Sequence, residues 1–172
     1  MKYAAEASEA QSWVAVLAGT VLLQAVASFL SRAAPTIAPT LTQEIGLEPS
    51  TIGYLSAVGT FGSIAFLLAG SPLIRRLGSI RTLQIGTALG AAGAILFLMP
   101  NALAAVLAVF FIGLGYGPSP AAGSDILQRY APAGRRSLVF SIKQAGVPLG
   151  GVLAGVLLPP VVTAYGLAGV VV

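Results

Sequence analysis

Apolar residues along this chain fall in long blocks rather than in the one-face periodicity of a soluble helix or the alternation of a strand. A bilayer core of about 30 Å is crossed by roughly 20 apolar helical residues. Five blocks match that length, at about 13–41, 51–73, 82–99, 102–123 and 138–162. A further apolar block opens near Gly166 and runs to Val172, so a truncated sixth span is expected from about 166. Because the runs are unbroken, helices are expected and barrel strands are not. The punctuation between blocks is short and turn-like, at Gly46 to Pro49, Met99 to Asn101 and Pro132 to Gly134. No linker divides the chain. The pattern therefore predicts an all-α, polytopic transmembrane helical bundle over 13–172, preceded by a short segment at 1–12.

Composition agrees. Apolar residues make up 56% and charged residues 8%, with a mean hydropathy of +0.92. A soluble domain carries about 25% charged residues to solvate its surface, so this surface must face lipid. The absence of cysteine and histidine removes disulfides, thiolate or imidazole metal sites and histidine catalysis, and no cofactor is expected. The net charge of +4 does not imply nucleic acid, because the basic residues sit in the breaks and form no continuous basic face. They report orientation instead. Arg75, Arg76 and Arg81 lie between the second and third blocks, and Arg129, Arg135 and Arg136 between the fourth and fifth, with Lys143 just beyond. The breaks after the first and third blocks hold no Lys or Arg, only Glu44 and Glu48. By the positive-inside rule the amino terminus, with Lys2, is cytoplasmic. A cleaved signal peptide is disfavoured, since Glu6 and Glu9 outnumber Lys2 and the first block is long.

Several residues stand out chemically. Four small-residue pairs at GxxxG spacing, Gly86 with Gly90, Gly113 with Gly117, Gly146 with Gly150 and Gly151 with Gly155, predict close helix packing in lipid. Pro148 denies a donor to the carbonyl of Gln144 and predicts a kink in the fifth span. Lys143 and Gln144 stand beside it, either reaching the cytoplasmic interface or lining a polar path. Arg32 lies inside the membrane if the first helix continues past it. Burying it there costs roughly 3 kcal/mol, which calls for a cavity or a partner. Gln24, eight residues earlier, is expected near the same face. Asp125 is placed to pair with Arg129 one turn on, or with an arginine of the other cytoplasmic loop. Gly113, Gly115 and Gly117 form no phosphate loop, since no strand precedes them and no Lys-Ser/Thr follows. No catalytic cluster is present, so an enzyme is not expected.

Taken in order, these features resemble the amino-terminal half of a major facilitator superfamily transporter, over essentially the whole chain. The family signature between spans two and three, Gly-x-x-x-Asp-Arg-x-Gly-Arg-Arg, is met by Arg76, Gly78 and Arg81, with Arg75 at the acidic position. In span four Gly113, Gly115 and Gly117 match a glycine run, and Val109 stands where an arginine often precedes it. In span five Gly146, Pro148, Gly150 and Gly151 are similar to the family's glycine-proline kink, in a stretch like that of organic-anion facilitators. The resemblance implies transport of a small solute, here an organic anion, by alternating access between two halves, of which a carboxyl-terminal one would be missing. It also implies a bacterial inner (plasma) membrane setting. Arg32, Gln24, Lys143 and Gln144 would contact substrate or line its path, and Arg76, Gly78, Arg81 and Asp125 would form the cytoplasmic gate. The rival expectation is a non-transporting helical scaffold or assembly subunit packed through its glycine faces.

Overall fold

A computed structural model describes residues 2–170, and among these residues there is no strand. Five helical legs run back and forth. The first comprises α1 (Lys2–Thr36) and α2 (Ala38–Ile45), the second α3 (Thr51–Ala69) and α4 (Ser71–Leu77), and the third is α5 (Ser79–Leu96). The fourth is α6 (Ala102–Tyr116) with α7 (Pro118–Tyr130), and the fifth α8 (Arg136–Gln144) with α9 (Gly146–Tyr165). Gly166–Val170 forms a short 3-10 turn, so the expected start of a sixth span is not an α-helix over the described residues.

Four of the five legs are interrupted, and each interruption falls just ahead of a proline. The breaks at Ile37, Gly70, Gly117 and Ala145 precede Pro39, Pro72, Pro118 and Pro148. A proline has no amide proton and crowds the carbonyl four residues earlier, so each removes one rung of the helical ladder. Backbone hydrogen bonds nevertheless carry across each break. Ile37 and Leu41 bridge the first break through N–H bonds of 2.9 Å to Ala33 and Ile37. Real chain reversal needs a left-handed glycine or a cap. Gly46, at φ 70°, ends α2 and Gly78, at φ 79°, separates α4 from α5. The Asn101 side chain starts α6 by accepting the Ala104 N–H at 2.8 Å.

Among the described residues four stretches are long and apolar enough to cross a membrane: Trp13–Thr36, Thr51–Ala69, Ala102–Tyr130 and Ala133–Ala168. The sequence expectation was five. The third leg, α5, is 18 residues long, but Arg81 and Gln84 in its opening turns shorten its apolar stretch. The surface is apolar where a soluble protein's would be polar. Leu68 and Leu103 are 80% and 69% exposed while Gln24 and Lys143 are 0% and 1% exposed. Such a distribution is stable only against lipid.

Packing is densest where α6 meets α3 and α5, and where α1 meets α9. A Cβ on Gly113 would run into the Gly59 carbonyl of α3, and one on Gly115 into the Gly86 carbonyl of α5. Gly146 and Gly150 lie in the same way against the Val21 and Ala25 carbonyls of α1. Gly151 and Gly155 do not share this role. Nothing lies within 4 Å of a Cβ built on either, because they fall on the opposite side of α9 from Gly146 and Gly150. The packing expected of Gly151 is thus corrected by its angular position.

This contrast predicts opposite responses to one methyl group. Gly113→Ala and Gly150→Ala should each lose about 1–3 kcal/mol through overpacking. Gly155→Ala should be neutral or gain up to about 1 kcal/mol from helix propensity. Thermal unfolding of the purified chain in detergent measures the difference, and equal melting of all three variants would contradict the packing described.

Candidate functional site

Between α1, α3 and α6, with Val147 of α9 at its edge, lies a cleft of about 470 Å³. The continuation of α1 to Thr36 places Arg32 within helix, on the wall of this cleft. The guanidinium has no acidic neighbour there, since the one ion pair among the described residues is that of Arg129 with Asp125. The rest of the wall is part apolar, from Leu55, Val109 and Ile112, and part hydroxyl. Val109, at the position where the family often carries an arginine, therefore leaves Arg32 as the cation of this cleft.

The hydroxyls are held by backbone. Ser28 donates to the Val147 carbonyl at 2.8 Å and Ser31 to the Ser28 carbonyl at 2.8 Å. Thr60 donates to the Ser56 carbonyl at 2.9 Å. Ser63 donates across to the Gly113 carbonyl of α6 at 2.9 Å, with the Gly59 carbonyl at 3.3 Å. These residues were not singled out from the sequence. Serine and threonine are common enough in membrane helices that only their shared face, i, i+4 and i+7 for Ser56, Thr60 and Ser63, could have flagged them.

Gln24 and Lys143 do not line this cleft. Eight residues at 100° each turn the helix 80° beyond two full turns, so Gln24 faces away from the side Arg32 occupies. It is buried against α7, where its Oε1 accepts from Ser119 Oγ at 3.1 Å and its Nε2 finds no partner. Lys143 neither reaches the interface nor the cleft. Its ammonium donates to the Pro120 carbonyl at 3.1 Å and to Ser124 Oγ at 3.3 Å. Gly123 makes room for this, since a Cβ there would lie 3.1 Å from Lys143 Cε. The two residues thus sit in one polar seam joining α1, α7 and α8, behind the cleft. Thr20, Gln24 and Ser28, spaced by four and all nearly fully buried, form the α1 side of the seam. Gln144, 100° further round the helix from Lys143, is exposed and separate from both.

At the end of the bundle where α4 meets α5, Gly78 provides the turn with its positive φ of 79°. Asp125 of α7 accepts a short hydrogen bond from Ser79, the first residue of α5, and pairs with Arg129 at 2.9 Å. Of the two pairings expected for Asp125, the local one is present. Ser79 is the member that sequence reading missed, although a serine directly after a turn glycine is a recognisable helix-start signal. Arg76 and Arg81 are exposed, and Arg81 lines a pocket of about 460 Å³ together with Asp125 and Arg129.

Several known proteins are similar to this chain. A hexuronate transporter of Bacillus subtilis (strain 168) is 24% identical over 148 residues, covering 84% of this chain and 35% of that protein. The 4-hydroxybenzoate transporter of Pseudomonas putida is 28% identical over 135 residues, covering 76% of this chain and 29% of that protein. An Arabidopsis thaliana protein named "Probable anion transporter 3, chloroplastic" is 27% identical over 132 residues, or 75% and 26% of the two chains. The chain thus spans about a third or less of the length of these curated relatives. No solved structure matches it. The profile of the Major Facilitator Superfamily matches residues 20–172, nearly all of the bundle just described. This apolar, all-helical chain is an integral membrane protein and belongs to the Major Facilitator Superfamily.

Proposed function

We propose that this chain works within a transporter that carries a small organic anion across the membrane by alternating access, with Arg32 as the group that receives the anion. The observation carrying this reading is Arg32 itself. A guanidinium on the wall of a cleft, flanked by apolar side chains and with no acidic neighbour among the described residues, lacks its counter-charge. Leaving such a cation in a membrane is costly, and a carboxylate held in two-pronged fashion would offset the cost. The hexuronate, anion and 4-hydroxybenzoate transporters among the relatives support an anionic solute of this kind.

In this proposal the five legs all cross the membrane, the amino terminus is cytoplasmic, and the cleft of α1, α3 and α6 forms one wall of the central chamber. A second half of the transporter would supply the facing wall. The proline breaks at Ile37, Gly117 and Ala145 provide places where a leg can bend, one rung being absent while the neighbouring backbone bonds are kept. Lys143 and Gln24 tie α1, α7 and α8 behind the path. Asp125, Ser79 and Arg129 latch the cytoplasmic ends of α5 and α7, with Arg76 and Arg81 free to meet an opposing acidic group. Asp125 would then do on α7 what the family's acidic position does in the loop where Arg75 stands.

Orientation is checked with single cysteines in a chain that has none of its own. In intact cells Ser79→Cys and Gly134→Cys should resist an impermeant thiol reagent while Gly46→Cys labels, and the reverse pattern would overturn the topology. The anion reading is checked in the transporter that contains this chain, at matched membrane expression. Arg32→Lys and Arg32→Gln should each reduce uptake at least tenfold, because lysine keeps the charge but loses the planar fork. Near-normal uptake by both would reduce Arg32 to an interface anchor.

A further inference from the structure

We infer that the cleft selects a polyhydroxylated monocarboxylate, a sugar acid, over apolar and aromatic acids of similar size. The inference rests on the proposed role of Arg32 and adds the wall opposite the carboxylate. A serine or threonine hydroxyl has one proton to donate and two lone pairs to accept with. The Ser28, Ser31, Thr60 and Ser63 hydroxyls spend that proton on backbone carbonyls. What they turn toward the cleft is therefore acceptor only. The donors of the cleft are concentrated in the five N–H groups of Arg32, while Ser56 and the Tyr116 phenol can serve either way.

A ligand complementary to this surface carries one acceptor group for Arg32 and several donors for the hydroxyl face. A carboxylate followed by a chain of hydroxyl-bearing carbons has that arrangement. Ser56, Thr60 and Ser63 extend about 10 Å along one side of α3 at 1.5 Å per residue, long enough to accompany a six-carbon acid. Leu55, Val109 and Ile112 face the carbon skeleton between them. Fixed acceptors discriminate strongly, because a ligand without donors strips their water and returns nothing. An alkyl acid has no hydroxyl to offer, and a phenolic acid has one. The cross-helix bond of Ser63 to Gly113 ties the polarity of that hydroxyl to the α3–α6 contact, so turning its proton toward the cleft costs a bond between the two helices.

The test is calorimetric titration of the purified transporter that contains this chain, in lipid nanodiscs, with D-glucuronate, glucose, hexanoate and 4-hydroxybenzoate. Glucuronate should bind at least tenfold more tightly than either other acid, and glucose should not bind measurably. Ser56→Ala and Thr60→Val, both at exposed positions and so tolerant of change, should each weaken glucuronate about fivefold and leave hexanoate unchanged. If hexanoate or 4-hydroxybenzoate equals glucuronate and Arg32→Gln abolishes all binding, the sugar-acid inference falls while the anion site stands. If Arg32→Gln leaves glucuronate affinity intact, or glucose binds as well as glucuronate, the anion site itself falls. Absence of binding by every acid at millimolar concentration removes both.

Discussion

Two backbone contacts on α6 set the position of almost everything else. Gly113 rests on the Gly59 carbonyl of α3, and Gly115 two residues on rests on Gly86 of α5. Successive odd positions point to nearly opposite sides of a helix, so these glycines let α6 be clamped between two neighbours at once. Lipid supplies no hydrophobic drive for helices to meet. Association has to come from close packing and from polar groups with nowhere else to go. The α3–α6 approach brings Ser63 within reach of the Gly113 carbonyl, and the same approach sets the width of the cleft that Arg32 lines. A side chain at Gly113 would push α3 outward and change packing, hydroxyl polarity and cleft together.

The second organising element is the polar seam on the other side of α1. Gly146 and Gly150 bring α9 against α1. Ser28 then donates to the Val147 carbonyl, and Gln24 and Lys143 find their partners on α7. Buried polar groups in a membrane tend to lie inside the bundle, bonded to one another or to freed backbone, and most of these are. Ser28 and Val147 belong to both seam and cleft. A movement of α9 against α1 would therefore be felt on the cleft wall. That coupling gives the proposed alternating cycle a physical route through residues already in contact.

Much of this was legible in the sequence. The long apolar blocks, their breaks and the glycine pairs specified an all-α membrane bundle, and the order of motifs pointed to the family that the profile match establishes. What escaped was direction rather than identity. Gly146 with Gly150 and Gly151 with Gly155 are the same motif five residues apart, yet one packs and the other faces open space. Sequence spacing shows that two residues share a face, not which face meets a neighbour. Gln24 and Arg32 failed as a pair for a related reason, since a spacing of eight drifts 80° around the helix. The hydroxyls of α3 were unremarkable as residues and became informative only when their protons were traced to carbonyls. Lys143, in contrast, offered two alternatives from sequence, and the structure shows a third, because Gly123 leaves space for the ammonium to lie against α7.

The central claim is that the space between α1, α3 and α6 is the aqueous, anion-receiving chamber and that the outer faces of the bundle meet lipid. Single cysteines at Thr60, on the cleft, and at Leu68, 80% exposed on the outer surface, test it directly in the assembled transporter. A small water-soluble thiol reagent should modify Thr60→Cys, the transported anion should slow that modification at least several-fold, and Leu68→Cys should remain unmodified. Modification of Leu68→Cys with Thr60→Cys inert, or labelling of Thr60→Cys that no anion slows, would contradict the account.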